Sequence, residues 1–156
     1  MKNIQKIILF IIVFCLHNRA RSQVNRVESI GITVSNMVRS GQFFHEVLGF
    51  KKISDAELQG TEYENLEGLF GLRMRIVRMQ LGNETIDLTD YLTSGGRSIP
   101  EDARSNDLIF QHIAVVVSNM EQAYSWVRKH MVMYVSTGPQ TLPASNKAAA
   151  QVRSGL

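Results

Sequence analysis

Hydrophobic and polar residues alternate through two stretches of the chain, and both stretches end in the same motif. The alternation predicts two β-strands, each with one apolar and one mixed face. The motif Val-Ser-Asn-Met closes the first stretch at Met37 and the second at Met120, an offset of 83 residues. Each predicted strand runs directly into a helix that Asn36, or Ser118 or Asn119 in the second copy, can cap. Two copies of one strand–helix unit indicate an internally duplicated fold.

The first unit continues with further elements of a mixed α+β pattern. A helix is predicted from the Asn36 cap to about Leu48, ended by Gly49, and a second strand over residues 50–53. The polar stretch 55–67 is predicted as a loop or short helix. Residues 73–81 and 84–91 form a predicted hairpin that turns at Gly82-Asn83. The order of the unit is therefore βαβββ.

The second unit repeats the start of the first and then departs from it. A linker over residues 92–108 leads to a strand at 109–117, a helix at 120–130 and a strand at 132–136. Trp126 belongs to the apolar stripe of that helix and is expected in the core. Residues 148–152 can supply one short strand, but a closing hairpin is missing. The predicted organisation is a signal peptide at 1–22, a first βαβββ unit at 23–91, the linker, and a truncated βαβ unit at 109–156.

The N-terminal segment has the features of a secretory signal. Lys2 and Lys6 precede ten apolar residues, Ile7 to Leu16, and Ala20 and Ser22 are the small residues that a signal peptidase reads. Ten residues are too few for a helix that spans a bilayer, which needs about 20. Cleavage before Gln23 predicts a secreted or periplasmic protein with no stable membrane association. An uncleaved anchor is the alternative.

Charge and cysteine content exclude several classes of function. The formal charge of +3 depends on four basic residues in the first 22 positions, and the rest of the chain has thirteen basic and fourteen acidic side chains. Without a basic stripe, nucleic-acid binding is not expected. The single cysteine, Cys15, lies in the apolar run, so the mature protein has neither thiol catalysis nor a cysteine-based metal site.

The duplicated βαβββ pattern resembles the vicinal oxygen chelate superfamily, which includes glyoxalase I, bleomycin-resistance proteins and extradiol dioxygenases. The resemblance rests on His112-Ile-Ala-Val-Val-Val-Ser-Asn-Met120, on Gly49-Phe50 after the first helix, and on residues 81–88. It implies two βαβββ units in a cupped mixed sheet, the second unit here being incomplete, around a divalent metal. A small-molecule substrate is implied as well, and a homodimer is left open.

The resemblance also implies the site residues. His112 matches a family histidine ligand, Asp87 stands where the family has glutamate, and Ser29 stands where His or Gln is usual. A site of these three residues would hold Zn, Ni, Fe or Mn. Asp87 would then be the catalytic base. The alternation of its own strand places Arg78 on a face with Met74, Ile76 and Gln80, where it would line the cup and bind an anionic substrate. The alternatives are a structural histidine, an exposed strand carboxylate and a surface arginine.

Three functions follow from these residues. The first is a glyoxalase I-like, metal-dependent lyase or isomerase, in which a carboxylate or metal-bound water moves a proton. The second is a non-catalytic protein that binds a small molecule in the same cup, which the serine at position 29 and the missing second carboxylate favour. The third is an inactive, truncated fragment.

Overall fold

The computed structural model describes residues 25–93, 95–104, 106–109, 112–130, 138–141, 143, 145 and 151–152. The predicted signal peptide and the strand predicted at 132–136 lie outside the described residues. Truncation of the second unit therefore stays a prediction.

A four-stranded mixed sheet forms the centre of the described structure. Its strands are β1 (Ile30–Thr33), β2 (Lys51–Gln59), β3 (Arg73–Leu81) and β4 (Glu84–Tyr91), in the spatial order β1-β4-β3-β2. β1 is parallel to β4, and the other neighbours are antiparallel. The mixed α+β class and the βαβββ order of the first unit are confirmed.

The core lies between one face of this sheet and the helix that follows β1. Helix α1 (Met37–Gln42) continues as a π-helical segment (Phe43–Val47), and the Asn36 side chain accepts a hydrogen bond from the Arg39 backbone N–H. Gly49 has the predicted positive φ, 78°. The buried cluster combines residues of the helical segment, one residue just before β2, and alternate residues of β3 and β4: Met37, Phe44, Phe50, Val77, Met79, Ile86 and Leu88.

The polar stretch after Phe50 is more regular than the sequence predicts. β2 continues to Gln59, and helix α2 (Thr61–Glu67) follows directly. β2 pairs with β3 from Lys51 to Gln59, with a register irregularity between Lys52 and Ser54. Charged residues face each other across this pair, so the strand lacks the apolar alternation by which strands are recognised in sequence.

The strand predicted at 109–117 is absent over residues 112–117, and this correction has a physical cause. A strand needs a hydrogen-bonded neighbour, and the described part of the chain places none beside this segment. Ile113 still packs against the core cluster, whereas the Val116 side chain is 96% exposed.

The helix of the second unit forms where predicted, as α3 (Met120–Lys129) with Asn119 as its cap. Trp126 is not a core residue, which corrects the prediction, because its side chain is 47% exposed. Its indole Nε1 donates to the Val47 carbonyl oxygen at 3.0 Å and so joins α3 to the π-helical segment. Two short strands, β5 (Gln140–Thr141) and β6 (Gln151–Val152), pair antiparallel. Within the described ranges, every helix is too short or too polar to cross a membrane.

Candidate functional site

The β3–β4 hairpin sets the geometry of the candidate site. A two-residue turn at Gly82 and Asn83 pairs Leu81 with Glu84, and this register places Arg78 directly opposite Asp87. Both side chains point away from the core, because they alternate with buried neighbours. We call this side of the sheet the Asp87 face and define it by Ser29, Ile76, Arg78, Asp87 and Thr89.

Asp87 is the centre of a closed hydrogen-bond network. Arg78 donates from Nε to Oδ1 and from Nη2 to Oδ2 of Asp87, both at 2.8 Å. The Ser29 hydroxyl donates to Oδ2 at 2.6 Å. The Asp87 side chain is 17% exposed. A two-point guanidinium–carboxylate contact is the strong, geometrically specific form of this ion pair.

A second carboxylate lies at the other end of the Arg78 guanidinium. Glu28 Oε1 is 3.6 Å from Arg78 Nη1, which is an ion-pair distance but too long for a hydrogen bond. Its other oxygen, Oε2, accepts from Arg26 Nη2 at 2.6 Å. The Glu28 backbone is fixed by the Thr85 hydroxyl, which donates to the Glu28 carbonyl oxygen at 2.6 Å.

The ion pair changes the acid–base properties of both partners. Hydrogen bonding by the Arg78 guanidinium is the largest influence and lowers the pKa of Asp87, while partial burial opposes it and the Ser29 hydroxyl adds to it. The same hydrogen bonds raise the pKa of Arg78. Asp87 is therefore a carboxylate at neutral pH and a weak base, since a low pKa means a weak tendency to accept a proton.

These contacts decide how well the residues fit a divalent metal. A carboxylate has about four acceptor positions, and Arg78 and Ser29 use three of those on Asp87. A metal ion on the remaining position would sit beside a fixed positive charge. Among the described residues, no group of three or more His, Cys, Asp or Glu side chains could hold a metal. As they stand, the residues around Asp87 do not fit a divalent ion.

The structure brings together three of the four site residues predicted from sequence: Ser29, Asp87 and Arg78. His112 lies in the non-strand segment before α3 and its side chain is exposed. Its role as a metal ligand stays a prediction. Asp87 remains a predicted catalytic base and Arg78 a predicted substrate-binding residue.

Sequence reasoning missed the pairing of Arg78 with Asp87 and the part played by Glu28. The pairing of Arg78 with Asp87 can be predicted from the sequence, because a hairpin with a two-residue turn fixes which residues face each other. Counting back from Gly82-Asn83 puts Arg78 opposite Asp87. No comparable pattern in the sequence predicts the position of Glu28, because that position depends on the parallel pairing of β1 with β4.

Comparison with known protein families identifies one family that matches this chain. Residues 26–150 match the Glyoxalase/Bleomycin resistance protein/Dioxygenase superfamily. No curated protein matches the chain.

The fold is shared with solved structures of glyoxalase family proteins. A glyoxalase family protein from Bacillus cereus superposes with a TM-score of 0.70 at 22% sequence identity, covering 79% of this chain and 83% of its own. The trypanothione-dependent glyoxalase I of Leishmania major superposes with a TM-score of 0.52 at 19% identity, covering 83% of this chain and 80% of its own. At these identities the similarity concerns the fold.

Proposed function

Because the chain belongs to the Glyoxalase/Bleomycin resistance protein/Dioxygenase superfamily, we propose that it binds a small molecule at the Asp87 face, without a metal and without catalysis. The superfamily includes lyases and isomerases, and its members commonly bind divalent metals and small-molecule substrates and often form dimers. The observation that carries the proposal is the closed network in which Arg78 and Ser29 hold both oxygens of Asp87.

The network weighs against proton transfer by Asp87. A general base works best when its pKa lies near the working pH. The pKa of Asp87 is instead lowered, chiefly by Arg78. Asp87 would also have to break charge-assisted hydrogen bonds before it could accept a proton from a substrate.

The network weighs equally against a metal-dependent mechanism. Arg78 already supplies the positive charge that neutralises Asp87. A divalent ion would have to displace the guanidinium or lie beside it, and both arrangements carry an electrostatic cost. The neutral Ser29 hydroxyl is also a poorer ligand for such ions than an imidazole.

A metal-dependent lyase or isomerase of glyoxalase I type is the alternative. It is supported by the family match and by the likeness to the Leishmania glyoxalase I. Asp87 and His112 would then be ligands, and Arg78 would have to turn away from Asp87.

The proposal is tested by NMR on ¹⁵N-labelled protein in EDTA. A mixture of small polar fragments (alcohols, amides and carboxylates) is added, and amide shifts are mapped. We expect the shifts to concentrate on the Asp87 face. Shifts that appear only after EDTA is replaced by Zn²⁺ would contradict binding without metal.

An activity assay separates the two functions further. With Zn²⁺ or Ni²⁺ added, we expect no isomerisation of the hemithioacetal of methylglyoxal and glutathione above the rate with free metal. Turnover that is lost in both Asp87→Ala and His112→Ala would establish the lyase instead.

We further propose that the protein is exported after cleavage before Gln23. The support is the charged and apolar N-terminal segment with Ala20 and Ser22 at the cleavage site. Mass spectrometry of protein from an exporting host should find Gln23 at the N-terminus. Soluble protein that retains Met1 would refute this.

A further inference from the structure

The Arg78 guanidinium is only partly used by the contacts around it. Arginine has five N–H donors, and the two-point contact with Asp87 occupies one on Nε and one on Nη2. Of the three remaining donors, one on Nη1 and one on Nη2 form the second fork of the guanidinium. The Arg78 side chain is 35% exposed, so this fork is accessible.

Asp87 holds that fork in a fixed orientation. Two hydrogen bonds of 2.8 Å define the plane of the guanidinium, and the Ser29 hydroxyl fixes the carboxylate in turn. A preorganised arginine loses less entropy when it binds a ligand than a free one does. Bidentate contact with a carboxylate is the recognition that this planar group favours.

Glu28 already presents a carboxylate to Nη1, one of the two nitrogens of the second fork. The approach is loose, at 3.6 Å to Nη1, and the Glu28 side chain is 59% exposed. Its stronger contact is the 2.6 Å hydrogen bond from Arg26. A weakly held, exposed carboxylate beside an accessible guanidinium fork can be displaced by a ligand of the same chemistry.

We propose that Arg78 is the ligand-binding cation of the Asp87 face, that its second fork takes the carboxylate of a small ligand, and that Glu28 occupies this position in the ligand's absence. The inference rests on the proposed function and names its ligand class. It assigns different roles to three neighbours: Arg78 binds, Asp87 positions Arg78, and Glu28 competes with the ligand.

The experiment is an NMR titration of ¹⁵N-labelled protein in EDTA with two matched probes, propionate and propionamide. They differ in charge and in the second oxygen, while their carbon skeletons are the same. The Nε–H signal of Arg78 and the amide signals of the Asp87 face are followed together. We expect propionate to bind more tightly than propionamide and to shift the Arg78 signal.

Two variants test the assigned roles. Glu28→Gln removes the competing charge and should tighten propionate binding about two- to fivefold, as expected for loss of one exposed charge interaction. Arg78→Lys keeps the charge but loses the fork, and should weaken propionate binding about tenfold. Glu84→Gln removes an exposed carboxylate at the hairpin turn and serves as the matched control, with unchanged affinity.

The outcomes separate this inference from the proposed function. Equal binding of the two probes, or weaker propionate binding in Glu28→Gln, overturns the inference, even where other fragments still bind the Asp87 face. An unchanged affinity in Arg78→Lys, with a spectrum that shows a folded protein, overturns it as well. Propionate binding that requires added Zn²⁺ overturns the proposed function itself.

Discussion

At the scale of single residues, Asp87, which the sequence predicts as a metal ligand, forms an ion pair with Arg78. Its alternation with Ile86 and Leu88 correctly placed it on the face away from the core. The same rule placed Ser29 and Arg78 on the faces opposite the apolar residues of their own strands. Strand pairing then brings Arg78 opposite Asp87, and sequence reasoning missed that contact. It did not predict what they do together, because a carboxylate can accept from an arginine or bind a metal with equal ease.

The ion pair predicts a pH dependence of stability. A carboxyl group whose pKa is lower in the folded than in the unfolded state stabilises the fold above the unfolded-state pKa, about 3.9 for aspartate, and loses that contribution as pH falls through the folded-state pKa. The pKa of Asp87 is lowered. Asp87→Asn should therefore reduce the free energy of unfolding at pH 7, by about 1 kcal/mol for a partly exposed pair.

Urea unfolding at several pH values measures this difference. The gap between the native protein and Asp87→Asn should be constant from pH 7 to about pH 5 and should shrink at lower pH. Glu84→Gln, which alters an exposed carboxylate, should show no such gap at pH 7. A gap that grows on acidification would contradict the sign of the effect.

At the scale of elements, apolar periodicity predicted the helices and the hairpin well. Asn36 and Asn119 cap their helices, and the bounds of β3 and β4 agree with the prediction. Periodicity failed for β2, which is exposed along almost its whole length and forms charged pairs with β3. Arg75 donates to both oxygens of Asp55, and Arg73 donates to Glu57 from Nε and Nη2. Such pairing depends on the neighbouring strand, so the β2 sequence alone does not reveal it.

Phe44 of the first helical segment and Trp126 of α3 should differ in their contribution to stability. Phe44 is buried and makes edge-to-face contacts with Phe43 and Phe50, at centroid distances of 5.5 and 5.4 Å. Phe44→Ala should cost about 3–5 kcal/mol. Trp126 is half exposed, and Trp126→Ala should cost about 1–2 kcal/mol from its hydrogen bond and partial packing.

Urea unfolding followed by far-UV circular dichroism gives both values. Trp126→Phe retains most of the packing and serves as the control for the lost indole hydrogen bond. Equal losses for Phe44→Ala and Trp126→Ala would show that the two helices are packed alike, as the sequence repeat alone suggests.

At the scale of the whole molecule, the repeat predicted the superfamily and the first βαβββ unit. The second unit was predicted by analogy, and over residues 112–117 the analogy fails because no described strand pairs with this segment. Sequence similarity between repeats reports shared side-chain patterns, whereas a strand also requires a partner. The metal site implied by the family was likewise predicted by analogy, without knowledge of the residues that surround it. Ser29 stands where the family usually has a histidine or glutamine ligand. Arg78, which is not at a ligand position, pairs with the Asp87 carboxylate.

In the proposed function Arg78, and no metal ion, neutralises Asp87, and paramagnetic NMR with Ni²⁺ tests this claim most directly. Ni²⁺ binds imidazole and carboxylate ligands well and broadens the signals of nearby nuclei. On titration into ¹⁵N-labelled protein, we predict that the amides of Ser29 and Asp87 broaden no more than that of the exposed Glu84, and that the Arg78 Nε–H signal persists. Selective broadening centred on Ser29, Asp87 and His112 at less than one equivalent of Ni²⁺, with loss of the Arg78 signal, would contradict the claim.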